Sequence, residues 1–264
     1  MIVHRSTVLS CLSLNVQLYL GDSLELMKKL PDSSVDFVCT DMPYGVTKAH
    51  WDCKIDLGRL WGELKRVAKP NAAFALFGSG KFAYKLAMSN FADFRYRYTW
   101  EKNGSVNGFL NSHKRPLTKC EDILLFYKNQ CTYNPQRQKP SGGGRPYIAQ
   151  GPHGTALYMA TTPRAPTINT DGLRYPTDLL RFNIVPNNER GHTTEKPVTL
   201  LEFLIRTYTN EGELVLDPFM GSGSCGVACV HTGRCFIGME KDPTFFDGAK
   251  AWIASEQKNL MQDQ

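Results

Sequence analysis

The 264-residue sequence lacks every spacing that would announce a metal centre or a disulfide scaffold. Its eight cysteines (Cys11, Cys39, Cys53, Cys120, Cys131, Cys225, Cys229 and Cys235) contain no CxxC pair, and none stands at a zinc-like distance from the six histidines. We read them as reduced, mostly buried thiols of a reducing compartment, which predicts a cytoplasmic protein with no bound metal. An unbroken apolar run of membrane-spanning length is also missing. The patch from Val8 to Leu14 is interrupted by serines and followed by Asn15 and Gln17, with no small-residue cleavage site after it, so neither a membrane span nor a signal peptide is expected. There is no internal repeat. Nor is there a phosphate loop: Gly78-Ser79-Gly80-Lys81 has no earlier glycine at the required position, and Phe82 stands where Ser or Thr would be needed. Charge is scarce as well, at 21% of residues.

What remains is a globular composition. With 42% hydrophobic residues the chain can bury a full core, which predicts one α/β-sized domain carrying an insertion rather than two equal domains. The formal net charge is +6, and it is concentrated. Between Arg95 and Arg145 ten basic side chains face three acidic ones, so the rest of the chain is near neutral and this stretch is a candidate polyanion contact.

Strand and helix signals alternate at both ends, the pattern of a parallel sheet with crossover helices. Asp22 opens a helix with Glu25 as capping-box partner and Leu24, Met27 and Leu30 as its apolar face. Val35 to Thr40 is a short β-branched strand that stops at Asp41-Met42-Pro43-Tyr44-Gly45. Leu57, Leu60, Trp61, Leu64 and Val67 recur at helical spacing, Lys69-Pro70-Asn71 reads as a turn, and Ala72 to Phe77 as the next strand. Phe82 to Phe91 is helical, Phe94 to Trp100 alternates as a strand with one wet face, and Ile123 to Tyr127 is a further strand. From about Gln130 to Arg190 the periodicity fails amid prolines and Gly142-Gly143-Gly144, the sign of a functional loop region. Order returns with a helix from Pro197 through Tyr208, a strand Glu213 to Asp217, a glycine loop, a helix to His231, a strand Cys235 to Met239 and a last helix.

Two constellations carry chemistry. The strand ending in Asp217 runs through Pro218-Phe219-Met220 into Gly221-Ser222-Gly223 and then a helix, where glycine lets backbone approach a ligand and the helix N-terminus offers free N–H groups. Glu240 ends the following strand, nineteen residues after Gly221, where a carboxylate can accept both hydroxyls of a ribose. Gly221-x-Gly223-x-x-Gly226 with Glu240 also fits the dinucleotide fingerprint, so a nucleotide-dependent oxidoreductase stays open at this point. The second constellation is Asp41-Met42-Pro43-Tyr44.

Together, in this order, the two resemble the amino-group DNA methyltransferases, whose catalytic tetrapeptide is Asp/Asn/Ser-Pro-Pro-Tyr/Phe. Having the catalytic motif before the cofactor motif, with a variable segment between, is similar to the β class. Gly21-Asp22 and His192-Thr193-Thr194-Glu195-Lys196-Pro197 extend the likeness over most of the chain. Met42 departs from the first proline of the tetrapeptide and Thr193 from a usual proline. The resemblance implies an α/β fold, a doubly wound Rossmann-like methyltransferase sheet with an inserted target-recognition segment. It divides the chain into a catalytic half (1–130), a target-recognition insertion (131–190) and an S-adenosylmethionine-binding half of the same domain (191–264).

It further implies a base-flipping, sequence-specific enzyme of the restriction-modification kind that moves a methyl group from S-adenosylmethionine to an exocyclic amine in double-stranded DNA. Asp at position 41 favours adenine N6, with cytosine N4 as the alternative. The Asp41 carboxylate and Met42 carbonyl would each accept an amine N–H, Pro43 would stiffen the turn and Tyr44 would stack on the base. Asp217, Phe219, Gly221, Ser222 and Gly223 are expected around the methionine part of the donor, Glu240 at the ribose, Asp22 at the adenine edge, and Thr194 and Lys196 toward the carboxylate end. Arg137, Lys139, Arg145 and Arg164, interleaved with Tyr133, Tyr147 and Tyr158, are the expected DNA contacts. A homodimer is compatible with the sequence.

Overall fold

The computed structural model describes residues 15–45, 54–103, 106, 108–140, 143–149, 167–185 and 195–262, without the side chains of Ala149 and Thr167. The chain divides into two compact units, Met1–Asn134 with Asp178–Gln264, and Pro135–Thr177. The first unit carries β1 (Val16–Leu20), α1 (Ser23–Met27), β2 (Val35–Thr40), α2 (Leu57–Val67), β3 (Ala68–Gly78), α3 (Gly80–Ser89), β4 (Phe94–Asn103) and β5 (Cys120–Phe126). The second holds β6 (Tyr147–Ala149) and β7 (Thr167–Asn169), an antiparallel pair. The chain then returns to the first unit with β8 (Leu179–Asn183), α4 (Val198–Tyr208), β9 (Leu214–Asp217), α5 (Ser224–Thr232), β10 (Cys235–Glu240) and α6 (Pro243–Gln262).

Eight strands form one sheet in the order β1-β10-β9-β2-β3-β5-β4-β8, with β5 antiparallel to both of its neighbours. Its central strands are buried on both faces because period-two alternation sends apolar side chains to each side. Phe37, Ala73, Ala75 and Phe77 pack with α4, α5 and α6, whereas Val38, Phe74 and Leu76 pack with α1, α2 and α3. The fold is thus a doubly wound α/β sheet. On β4, Tyr98 and Trp100 point into the core while Arg95 and Arg97 face solvent, as its alternation predicts. Among the described residues no helix is long and apolar enough to cross a membrane.

Several local expectations are corrected. Asp22 caps α1 by accepting from the Leu24 N–H at 3.0 Å, but Glu25 turns to Lys28 at 2.7 Å instead of closing a capping box. Lys69-Pro70-Asn71 is no turn. These residues bulge within β3, where the pairing jumps from Val35↔Ala68 to Phe37↔Ala73, and an irregularity of that kind accommodates a proline. Strands β1 and β8 have no counterpart among the strands expected from the sequence. Both are edge strands left partly uncovered, so neither carries the continuous apolar run of a buried strand.

Candidate active site

The site follows from the sheet order. From β2 the chain crosses to β3 on one side, and from β9 to β10 on the other, so the crevice beyond the carboxyl ends of β2 and β9 is the place where a doubly wound sheet binds ligands. These two strands are hydrogen-bonded neighbours in parallel register, Phe37↔Val215 and Val38↔Leu216. Asp41 and Asp217 therefore emerge side by side, tied by the Thr40 hydroxyl, which donates to Asp217 Oδ1 at 2.6 Å. They open into a cleft of about 1170 Å³.

On the β9 side the main chain does the holding. Asp217 Oδ1 accepts from the Phe219 N–H at 3.1 Å. Burial pushes its carboxyl up to about 7, with the Thr40 and Phe219 hydrogen bonds pulling in the opposite direction. Glu240 Oε2 accepts from the Gly221 N–H at 3.0 Å, and its Oε1 from those of Lys241 and Asp242 at 2.8 Å each. Gly221 has φ 51°, a left-handed conformation that glycine adopts without strain. Gly223, at φ 87°, also packs closely, since a β-carbon there would lie 2.8 Å from that of Ala249 on α6. Gly226, third glycine of the dinucleotide fingerprint, lies inside α5, and a β-carbon would meet Ile253 Cδ1 at 2.4 Å. Both are helix-packing glycines. Asp22 lines the same cleft, 3.7 Å from Lys241 Nζ.

On the β2 side, side chains do the holding. Asp41 Oδ2 accepts from Lys196 Nζ, and Asp41 Oδ1 from the Tyr44 hydroxyl at 2.9 Å. The Tyr44 hydroxyl also lies 3.2 Å from Glu121 Oε1, and its ring stacks on Phe82 at 4.4 Å. Lys196 stands 3.3 Å from Glu121 Oε1, and Lys102 pairs with Glu121 Oε2 at 2.7 Å. Burial raises Asp41 above the ordinary carboxylate range, and the Lys196 ammonium offsets only part of that. For Glu121 burial is outweighed by Lys196 and Lys102, which hold it below the ordinary range. Burial works against the Lys196 charge, yet the two carboxylates outweigh it and raise the ammonium above its usual range. Burial, reinforced by the same carboxylates, keeps the Tyr44 phenol neutral. Met42 is buried at the lining of the cleft, with its side chain in the core.

One cleft thus gathers Asp22, Asp41, Met42, Pro43, Tyr44, Lys196, Asp217, Phe219, Gly221, Ser222 and Glu240. Thr194 and Arg164 lie outside the described residues. In the Pro135–Thr177 unit Arg137 makes a two-pronged ion pair with Asp171, both bonds 2.9 Å, and covers the Tyr175 ring, whereas Lys139 and Arg145 are exposed. The basic stretch is therefore less uniform than its composition suggests. Lys102 turns inward to Glu121, and Arg97 and Lys119 pair with Asp122 and Glu101. Sequence reasoning missed Glu121. The signal was available, since extending the strand back to Cys120 puts Glu121 on the same inward face as Ile123 and Leu125.

The chain is similar to known proteins over most of its length. The N6/N4 family model described as DNA methylase matches residues 35–251. YubD of Escherichia coli (strain K12), a methylase by provisional name, is 30% identical over 92% of this chain and 92% of its own. The type II methyltransferase M.HpaI of Haemophilus parainfluenzae is 26% identical over 91% of this chain and 74% of its own. Among solved structures, the M1.HpyAVI–SAM complex superposes with a TM-score of 0.59 at 26% identity, covering 89% of this chain and 98% of that one. The cytosine-N4-specific PvuII DNA methyltransferase shares the fold, with a TM-score of 0.63 at 16% identity over 95% of this chain and 94% of that one. The match removes the oxidoreductase alternative, and the chain belongs to the N6/N4 DNA methylases, which methylate an exocyclic amino group of a DNA base.

Proposed function

We propose that this enzyme methylates N6 of adenine at a specific sequence in double-stranded DNA, with S-adenosylmethionine as the donor. The observation that carries the reading is the carboxylate of Asp41, which stands at the end of β2 beside the Asp217 and glycine-loop end of β9. The donor set suits the cofactor: two carboxylates, Asp217 and Glu240, end adjacent strands on the cleft beside Asp41, matching a ligand with an ammonium and ribose hydroxyls. Asp217 and the Gly221 to Ser222 turn would hold the methionine part, Glu240 the ribose and Asp22 the adenine. Three backbone N–H groups occupy three of the roughly four lone-pair positions of the Glu240 carboxylate, which leaves room for a hydroxyl. When bound, the cofactor supplies an electrophilic methyl group.

The exocyclic amine of adenine is a poor nucleophile because its lone pair is delocalised into the ring. Asp41 and the Met42 carbonyl accept its two N–H bonds, localise the lone pair and stabilise the positive charge that develops on nitrogen. The target base leaves the duplex to reach the cleft, and Tyr44 exchanges its stacking on Phe82 for stacking on the base. Lys196 belongs with Asp41 in this scheme, rather than at the cofactor carboxylate. Lys139 and Arg145 make phosphate contacts from the Pro135–Thr177 unit, which serves target recognition. The test is to treat DNA with enzyme and methyl-labelled donor, digest to nucleosides and identify the label: N6-methyladenine is expected, and N4-methylcytosine as sole product would overturn the base assignment.

A further inference from the structure

The geometry points to Glu121 as a positioning residue for methyl transfer: through Lys196 and Tyr44 it fixes both oxygens of Asp41. A buried carboxylate is costly unless paired, and Glu121 is 7% exposed. Its partners satisfy that demand in a directed way. Lys102 holds one oxygen at 2.7 Å, while the other draws Lys196 to 3.3 Å and the Tyr44 hydroxyl to 3.2 Å. The last two groups are the same two that contact Asp41, one on each oxygen. Glu121 itself sits on the rigid β5, paired in register with Trp100 of β4, so the direction from which Lys196 approaches Asp41 is set by the sheet rather than by a loop.

The charges balance in the same way. Asp41, Glu121, Lys102 and Lys196 form a quartet of two anions and two cations. Without the charge at Glu121, the Lys196 ammonium would be left to Asp41 alone, and its carboxylate would become a weaker base and a weaker acceptor for the amine. The other groups around Asp41 are Tyr44 from the turn after β2, Asp217 at the end of β9 and the buried Cys39 thiol of β2. Replacing Glu121 by glutamine removes none of these groups.

This role rests on the proposed methyl transfer, and its test is the pH profile of kcat for labelled-methyl transfer to DNA, whichever base receives the label. Glu121→Gln should lower the plateau kcat about tenfold, leave the KM for S-adenosylmethionine unchanged within about twofold, and move the acid limb to lower pH by about one unit. Lys196→Met should move that limb the opposite way. If Glu121→Gln does not accumulate as folded protein, Glu121→Asp serves instead: it keeps the charge and shortens the reach, so kcat falls while the limb stays in place. A wild-type plateau and limb in Glu121→Gln, or in Glu121→Asp an unchanged kcat, would overturn the inference with methyl transfer intact. A wild-type enzyme that transfers no label to DNA would instead overturn the function on which it rests.

Discussion

The two motifs that meet across the cleft are held by different means. At the end of β9 and β10, Asp217 and Glu240 are gripped mainly by N–H groups of Phe219, Gly221, Lys241 and Asp242, with the Thr40 hydroxyl on Asp217 beside them. At the end of β2, Asp41 is gripped by Tyr44 and Lys196, which are tied through Glu121 to Lys102 on β4. Backbone dipoles are fixed by the fold and carry no titratable charge. An ion-pair quartet, by contrast, responds to every charge in it. The comparison teaches that the binding half should be fragile to backbone change, and the catalytic half to charge change.

The largest effect belongs to the backbone side. Gly221→Val places a β-branched residue at φ 51°, a conformation it avoids, in the turn that meets Glu240. Calorimetry should detect no S-adenosylmethionine binding, with a fall in the thermal melt smaller than that of Gly223→Val. Gly223→Val should lower the melting temperature further, because a collision with Ala249 adds to the strain at φ 87°. A stable Gly223→Val variant that has merely lost cofactor would erase the distinction between the two glycines.

A smaller effect is expected from pH on the one acid of the binding half that is strongly shifted. With Asp217 raised to about 7 by burial, a cationic ligand ammonium must first find it deprotonated. Below that value a proton has to leave for the ligand to bind, so affinity should fall by up to about tenfold per pH unit as pH drops, and level off above about 7. Asp217→Asn should flatten the curve. An affinity constant from about pH 6 to about pH 8 in the native enzyme would separate Asp217 from the ligand ammonium.

Smaller still are single changes in the Pro135–Thr177 unit. Lys139→Ala and Arg145→Ala should each flatten the salt dependence of DNA binding by nearly one unit of slope, about 0.9 for each phosphate no longer neutralised. Arg137→Ala should act mainly on the local stability of that unit, because its guanidinium is already engaged by Asp171 and Tyr175. Equal salt-slope changes for all three would mean that the Asp171 pair opens on DNA.

The same contrast explains what could be read in advance. The β9 half is written in consecutive residues, from Asp217 through Gly223, with Glu240 at a fixed spacing, so its strand, loop and helix were legible. Strand β2 ending at Asp41 was legible for the same reason. Lys196 was visible as a motif residue, but its pairing with Asp41, 155 positions away, depends on where α4 begins against the sheet. Glu121 was hidden by a strand boundary drawn three residues late, and Lys102 by a count of basic residues that ignored which way β4 faces. Edge strand β8, inside the aperiodic stretch, became apparent only through its pairing with β4.

The central claim is that Asp41 acts in methyl transfer and not in holding the cofactor. The most direct test is the single-turnover rate of Asp41→Ala at saturating S-adenosylmethionine, with cofactor affinity measured on the same preparation. Affinity should be close to that of the native enzyme, because the proposed cofactor contacts lie on other elements, while the rate should fall by at least about a hundredfold, the loss expected for one preorganised electrostatic partner. A near-native rate, or a slow rate explained entirely by lost cofactor binding, would contradict the account.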